Sequence, residues 1–238
     1  MAGDVLILET DHPIAVAATA AIHRGDVAAV RRMLIEQPGL ATARLGASRT
    51  LLHVVADWPG HYPNGAAVVA ALVEAGAQVD ARFTGSHSET PLHWAASSDD
   101  VEALDALLDA GADIEADGAV IGGGTAIADA VAFGQWNAAR RLLERGARTT
   151  LWQAAALGLL DRVQHELEQA SPSREDLDNA LWCAAHGGQR EAAELLLARG
   201  ADPTWVGHDN LTAAAAAERS GAHKLATSLR ERAGDDTP

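Results

Sequence analysis

A chain of 238 residues with a formal charge of −15 repels the phosphate backbone on which nucleic-acid affinity rests, so DNA and RNA are excluded as expected partners. Ala, Leu and Val dominate a composition that is 48% hydrophobic but only 4% aromatic, the profile of closely packed helices, and no apolar run is long enough to span a bilayer. One cysteine, Cys183, excludes an internal disulfide and a cysteine-based zinc site and points to a reducing cytoplasm. Met1-Ala2-Gly3-Asp4 has none of the basic residues that open a secretion signal, and no membrane partner is expected.

In chain order, Pro13 to Arg32 predicts a first helix pair turning at Arg24-Gly25-Asp26. It lies in an amino-terminal capping segment (13–36), preceded by an extension (1–12) to which the sequence assigns no structure. Pro38-Gly39 ends the pair and 41–48 lead onward. A second pair opens at Thr50-Leu51-Leu52-His53, then inserts Trp58-Pro59-Gly60-His61-Tyr62-Pro63-Asn64-Gly65 before resuming at Ala66 and closing at Gly76. The third is the fullest: Thr90 is placed to cap a helix with Pro91 at its first position, where the missing N–H costs nothing. Asp99 with Glu102 reads as a capping box for its second helix, which buries Val101, Leu104, Leu107 and Leu108. Gly111 then closes it at positive φ.

The fourth pair begins at Thr125 and turns at Gly134. Its approach, Gly118 to Gly124, reads as an extended connection with a sharp turn; no Gly-Lys-Ser/Thr follows, as a phosphate loop requires. The fifth is read from a cap at Thr149 to Ala170, with Ser171-Pro172-Ser173, Glu175 and Asp176 in place of the usual connection. A sixth runs from Asn179 to Gly200-Ala201-Asp202. The last (211–232) has the polar outer helix of a carboxy-terminal cap, and Gly234 to Pro238 should fray.

Cap and turn glycine stand nine residues apart at 125 and 134, 149 and 158, 179 and 188, and 212 and 221; cap and closing glycine stand 21 apart at 90 and 111, 125 and 146, and 179 and 200. Thr90-Pro91-Leu92-His93-Trp94-Ala95-Ala96, followed by Leu107-Leu108-Asp109-Ala110-Gly111-Ala112-Asp113, resembles the ankyrin repeat, a unit of about 33 residues with a turn and two antiparallel helices. The resemblance implies an all-α, ankyrin-like α-solenoid of about seven helix pairs including two caps. It would form one domain over 1–238, with central repeats at 48–210 and the insertion at 58–65.

The resemblance also implies a structural hydrogen bond between neighbouring turns for His53 and His93. Trp152 and Trp182 replace that histidine in the fifth and sixth copies, which argues for packing over metal ligation. Trp136, at the start of a second helix, is expected in the core. His-Glu-x-x-His and EF-hand patterns are absent, so no metal site and no cofactor are expected.

By the same resemblance, recognition falls on a concave face built from the connections, or fingers, and the exposed ends of the first helices. Copy by copy, that face comprises Asp57 and Trp58; His87, Glu89, Ser97 and Ser98; Phe133, Leu157 and His186; and Trp205, His208 and Asp209. The insertion adds His61 and Tyr62. Apolar rings among titratable groups suit a protein or peptide groove and equally a small-molecule pocket. The leading expectation is a non-enzymatic module that binds a protein or peptide. The alternative is a small-molecule-binding or catalytic pocket roofed by the 58–65 loop, with Asp57, His61, His87, Glu89 and His186 as acid–base candidates. Gly-x-Ser-x-Gly is absent and Cys183 falls on an expected core helix, so no nucleophile motif supports that alternative.

Overall fold

The computed structural model describes residues 5–234, in which fourteen α-helices form seven consecutive antiparallel pairs. None of these helices is long and apolar enough to cross a membrane. The chain divides into two compact units, one ending at Ala147 and the other starting at Arg148.

The first unit holds α1 (Pro13–His23), α2 (Val27–Glu36), α3 (Leu51–Ala56), α4 (Gly65–Glu74), α5 (Pro91–Ser97), α6 (Val101–Asp109), α7 (Ala126–Ala132) and α8 (Trp136–Glu144). Inner helices α1, α3, α5 and α7 pack side by side, and α2, α4, α6 and α8 form a second layer behind them. Small residues set the spacing: Ala56, Ala95, Ala96, Ala128 and Ala130 are at most 1% exposed, so backbones approach closely around Leu52, Leu92 and Ile127. The outer layer is tied by charge as well. Asp105 on α6 accepts from Arg141 Nε (2.8 Å) and Arg145 Nη1 (2.7 Å) on α8. Although partial burial works against its charge, these two guanidinium groups hold its carboxyl below the usual range.

Of the extension, Met1 to Asp4 lie outside the described residues, and the remainder contributes a strand. Ile7–Leu8 forms β1, parallel to β2 (Arg44–Leu45), which pairs antiparallel with β3 (Arg49–Thr50). Within the strands Leu8, Leu45 and Thr50 are buried while Ile7, Arg44 and Arg49 are not, the alternation of a one-sided ribbon. Successive fingers are then stitched side by side: Arg44 Nη1 donates to Arg82 O (2.8 Å), Thr84 Oγ1 to Ala47 O (2.6 Å) and Arg82 Nη2 to Asp117 Oδ1 (2.8 Å).

The second unit holds α9 (Leu151–Ala156), α10 (Leu160–Gln169), α11 (Arg174–His186), α12 (Arg190–Ala198), α13 (Ala213–Arg219) and α14 (His223–Ala233). Here α11 packs between α9 and α13, with Leu181, Ala184, Ala185 and Ala216 fully buried. The outer helix α14 buries only Leu225, Ala226 and Leu229, as a capping helix should. Of the terminal segment expected to fray, Asp235 to Pro238 lie outside the described residues.

Three helix starts differ from the sequence expectation, each for a local reason. Asp100, not Asp99, caps α6, accepting Ala103 N–H at 3.0 Å. Asp99 sits at φ 54° and instead accepts from Ala138 N (2.7 Å) and Asn137 Nδ2 (2.8 Å), capping the neighbouring pair. In the fifth pair the cap is Thr150, not Thr149, because Gln153 Oε1 accepts the Thr150 N–H at 2.8 Å. In the sixth, α11 starts at Arg174, five residues before Asn179. Ser173 and Asp176 close a reciprocal capping box there, so Glu175 and Asp176 are helical and no finger separates the pairs.

Candidate functional site

The Thr-x-x-His pairs define one column of chemistry. Thr90 N–H donates to His93 Nδ1 at 3.2 Å, and Thr50 N–H to His53 Nδ1 at the same distance. A backbone N–H can only donate, so Nδ1 is the acceptor in both rings and Nε2 carries the hydrogen. Each Nε2–H then points at a carbonyl of the next finger, Gly124 O (3.3 Å) from His93 and Glu89 O (3.2 Å) from His53. Both rings are neutral by construction. Burial pushes His53 down to about 4 and lowers His93 in the same direction. Trp182 fills this column in α11, its Nε1–H donating to Leu211 O at 2.9 Å. Trp152 does not, since Gln153 takes the position.

A second cluster lies where the third finger meets α7. Glu89 is 4% exposed; its Oε2 accepts Trp94 Nε1–H at 2.9 Å and stands 2.8 Å from His87 Nδ1. His87 stacks on Phe83 with centroids 4.4 Å apart, and Phe83 leans on Trp94 at 5.6 Å. Behind Glu89 is Asp129 on α7, wholly buried, within hydrogen-bonding reach of the Glu89 carboxyl. Burial, then the hydrogen bond and negative charge of Glu89, push the Asp129 carboxyl up to about 8. Sequence reasoning missed Asp129. Its register position, four residues past the cap, is Val54 in the second copy and Trp94 in the third, so an acid in an apolar column was the available signal.

The insertion runs along the turns of its neighbours. His61 Nε2 meets Ser98 O (3.1 Å) and its backbone N–H donates to Asp100 Oδ2 (2.6 Å), tying it to the α5–α6 turn. In the other direction Tyr62 stacks on His23 at 4.2 Å and Asn64 Nδ2 donates to Gly25 O (3.0 Å), tying it to the α1–α2 turn. Desolvation, with the charge of Asp57, raises the Tyr62 phenol. Asp57 itself is ion-paired with Arg49. Ser98 is buried and donates to Ala56 O. Trp58 stands apart, 78% exposed at the end of α3, and Phe133 is 49% exposed at the end of α7. Trp136 is half-buried.

In the second unit, Trp182 gathers the candidates. His186 stacks on it at 5.4 Å, His208 meets it edge-on at 4.9 Å, and Arg219 lies 5.8 Å over its ring. His208 Nε2 contacts Asn179 Oδ1 at 2.9 Å, and Asp209 pairs with Arg219. Trp205 and His208 border an open cleft of about 370 Å³ together with Glu175, Asp176 and Asn179. Leu157 ends α9, half-buried. Burial raises the Cys183 thiol to about 12, which leaves it inert as a nucleophile.

Comparison with known proteins agrees with this geometry. A family profile described as "Ankyrin repeats (3 copies)" matches residues 17–118 and 64–151, and one described as "Ankyrin repeat" matches 176–207. Among solved structures, the crystal structure of the human ASB11 ankyrin repeat domain superposes with a TM-score of 0.54 at 22% identity. The match covers 89% of this chain and 96% of that one, and at such identity the likeness speaks for the fold alone. No curated protein matches the chain. Within 17–151, which the two longer matches cover together, lie every Thr-x-x-His column of the first unit and the fingers stitched between them; by profile, repeat length and helix pairing, the chain belongs to the ankyrin repeat family and has its all-α solenoid fold.

Proposed function

We propose that the chain is a non-enzymatic interaction module that binds a protein or peptide through the face made by its fingers and the exposed ends of its inner helices. The observation that carries this is the exposure of Trp58 and Phe133. Phe133 ends α7 and Trp58 follows the Asp57 that ends α3, the two inner helices packed on either side of α5, and each leaves a large apolar ring open to water. Rings of this kind are the usual energetic anchors of protein interfaces. Asp57, His87 and Glu89 supply a polar surround in the first unit; Trp205, His208 and His186 offer a comparable mixture in the second. His61 and Tyr62 are engaged with neighbouring turns, so they serve this reading as supports for Trp58 rather than as a lid.

The test is a peptide-display selection on the whole chain, followed by measured affinities for the enriched sequences. Trp58→Ala and Phe133→Ala should each weaken binding about 30-fold, equivalent to roughly 2 kcal/mol, with unfolding midpoints unchanged. Undiminished binding in both variants, or unfolding of Trp58→Ala, would overturn the assignment.

A further inference from the structure

We propose that the second unit holds an extended, basic segment of a partner protein in the place of a missing finger, which rests on the reading of the chain as a protein-binding module and gives its second face an occupant. The gap comes from the chain itself. Only Ser171 and Pro172 separate Ala170, which ends α10, from Ser173, which caps α11, whereas the last finger runs from Asp202 to Leu211. Two open clefts are left at that junction. One, of about 380 Å³, is lined by Trp152 at the start of α9, by Glu166 and Ala170, and by Pro172. The other, of about 370 Å³, lies between Glu175 and the last finger's Trp205, Val206 and His208. Both are also lined by Asp176 and Asn179, so they adjoin along the first turns of α11. A small ligand is held where about 70–90% of its surface can be buried, which an open cleft does not offer; a chain laid along both clefts suits them better.

Backbone chemistry sets the form of the occupant. Val206 and Thr212 make an antiparallel bridge, and beside it Gly207 N–H donates to Leu211 O (2.9 Å). That bond makes Val206 and Thr212 a non-hydrogen-bonded pair, in which Val206 turns its own N–H and C=O outward. Among the described residues no backbone group takes them up, and Val206 is 52% exposed on the wall of its cleft. A free edge of this kind accepts an extended chain by strand addition.

Charge selects the sequence. Glu175 is exposed and Glu166 half-buried, and neither meets a cation among the described residues. The arginines of α10, α11 and α13 are engaged elsewhere: Arg162 with Thr149 Oγ1 (3.1 Å), Arg174 with Asp178 (3.3 Å) and Asp202 (3.8 Å), and Arg219 with Asp209. His208 is turned to Asn179, and Asp176, although it accepts from Ser173, keeps its negative charge. Carboxylates beside the rings of Trp152 and Trp205 are complemented by Lys or Arg on either side of an apolar residue.

The test is a peptide-display selection on the whole chain carrying Trp58→Ala and Phe133→Ala, which removes the ring anchors of the first unit. Enriched sequences should carry at least two Lys or Arg around a central apolar residue. For a synthetic peptide of the most enriched sequence, Glu166→Gln combined with Glu175→Gln should weaken binding at least 10-fold, with far-UV circular dichroism unchanged. Exchange of the Val206 amide hydrogen, followed by NMR, should slow at least 10-fold in the complex. Enrichment on the wild-type chain but not on this variant would overturn the second site and leave the first standing. Enrichment of acidic or uncharged sequences, an affinity unmoved by the paired glutamines, unslowed exchange at Val206, or displacement of the peptide by an equal concentration of spermidine would also overturn it.

Discussion

His93→Ala should lower the unfolding free energy by about 3 kcal/mol in urea or guanidinium denaturation, a large loss for one exposed-loop-distant side chain. Two effects combine. The ring is 1% exposed, so its removal leaves a cavity, and the Thr90 N–H and Gly124 C=O lose their side-chain partner. A loss below 1 kcal/mol would show that the column is decorative. His53→Gln gives the companion measurement, because Gln153 already performs the capping half of this task in the fifth pair without titrating. Neutral His53, lowered to about 4, contributes stability that is present above its unfolded value near 6.5 and is lost as pH falls toward 4. That window is worth about 3 kcal/mol, and the glutamine variant should flatten it relative to wild type. An unchanged acid limb would place the titrating group elsewhere.

Gly187→Val should cost about as much or more, at least 3 kcal/mol, and for a reason unrelated to backbone conformation. Gly187 has φ −81°, which any residue adopts, but a Cβ there would stand 1.9 Å from Ala156 O. The end of α11 would have to move off α9, opening the core around Ala184 and Ala185. Gly111→Val is the contrasting case: nothing lies within 4 Å of the added carbon, and the cost, about 1 to 2 kcal/mol, is the strain of φ 93° alone. Equal losses at the two sites, read by Trp fluorescence during denaturation, would mean that close packing at Gly187 has relaxed.

Most of the architecture was legible because each repeat writes its two helices in local signals: Thr at the cap, Gly at the turn, Leu-Leu before the closing Gly. Where those signals come in adjacent pairs the reading slipped by one residue, at Asp99 and Asp100 and again at Thr149 and Thr150. Sequence spacing cannot say which of two good caps faces its own helix and which faces a neighbour. The early start of α11 was hidden because Ser173 and Asp176 cap locally while Asn179 keeps the repeat's register. The strand Ile7–Leu8 exists only through pairing with Arg44–Leu45, more than thirty residues away, which no local pattern announces. Among the candidate residues, the places of Trp58 and Phe133 at the ends of inner helices were legible from the repeat register. Asp129 was not, because an isolated acid has meaning only against Glu89, forty residues earlier in the chain.

The insertion at 58–65 changes how the first unit can come apart. In a stacked array each repeat is coupled only to its immediate neighbours, so unfolding can proceed one unit at a time, like the melting of a one-dimensional lattice. Here one short segment of the second pair grips the turn of the first through Tyr62 and Asn64 and that of the third through His61, strengthening both of its nearest-neighbour couplings at once. Fraying that begins at the amino terminus must therefore break contacts with the third pair's scaffold before the second can open. The first three pairs become a single cooperative block, whose loss is all-or-none even where the rest of the array melts in steps.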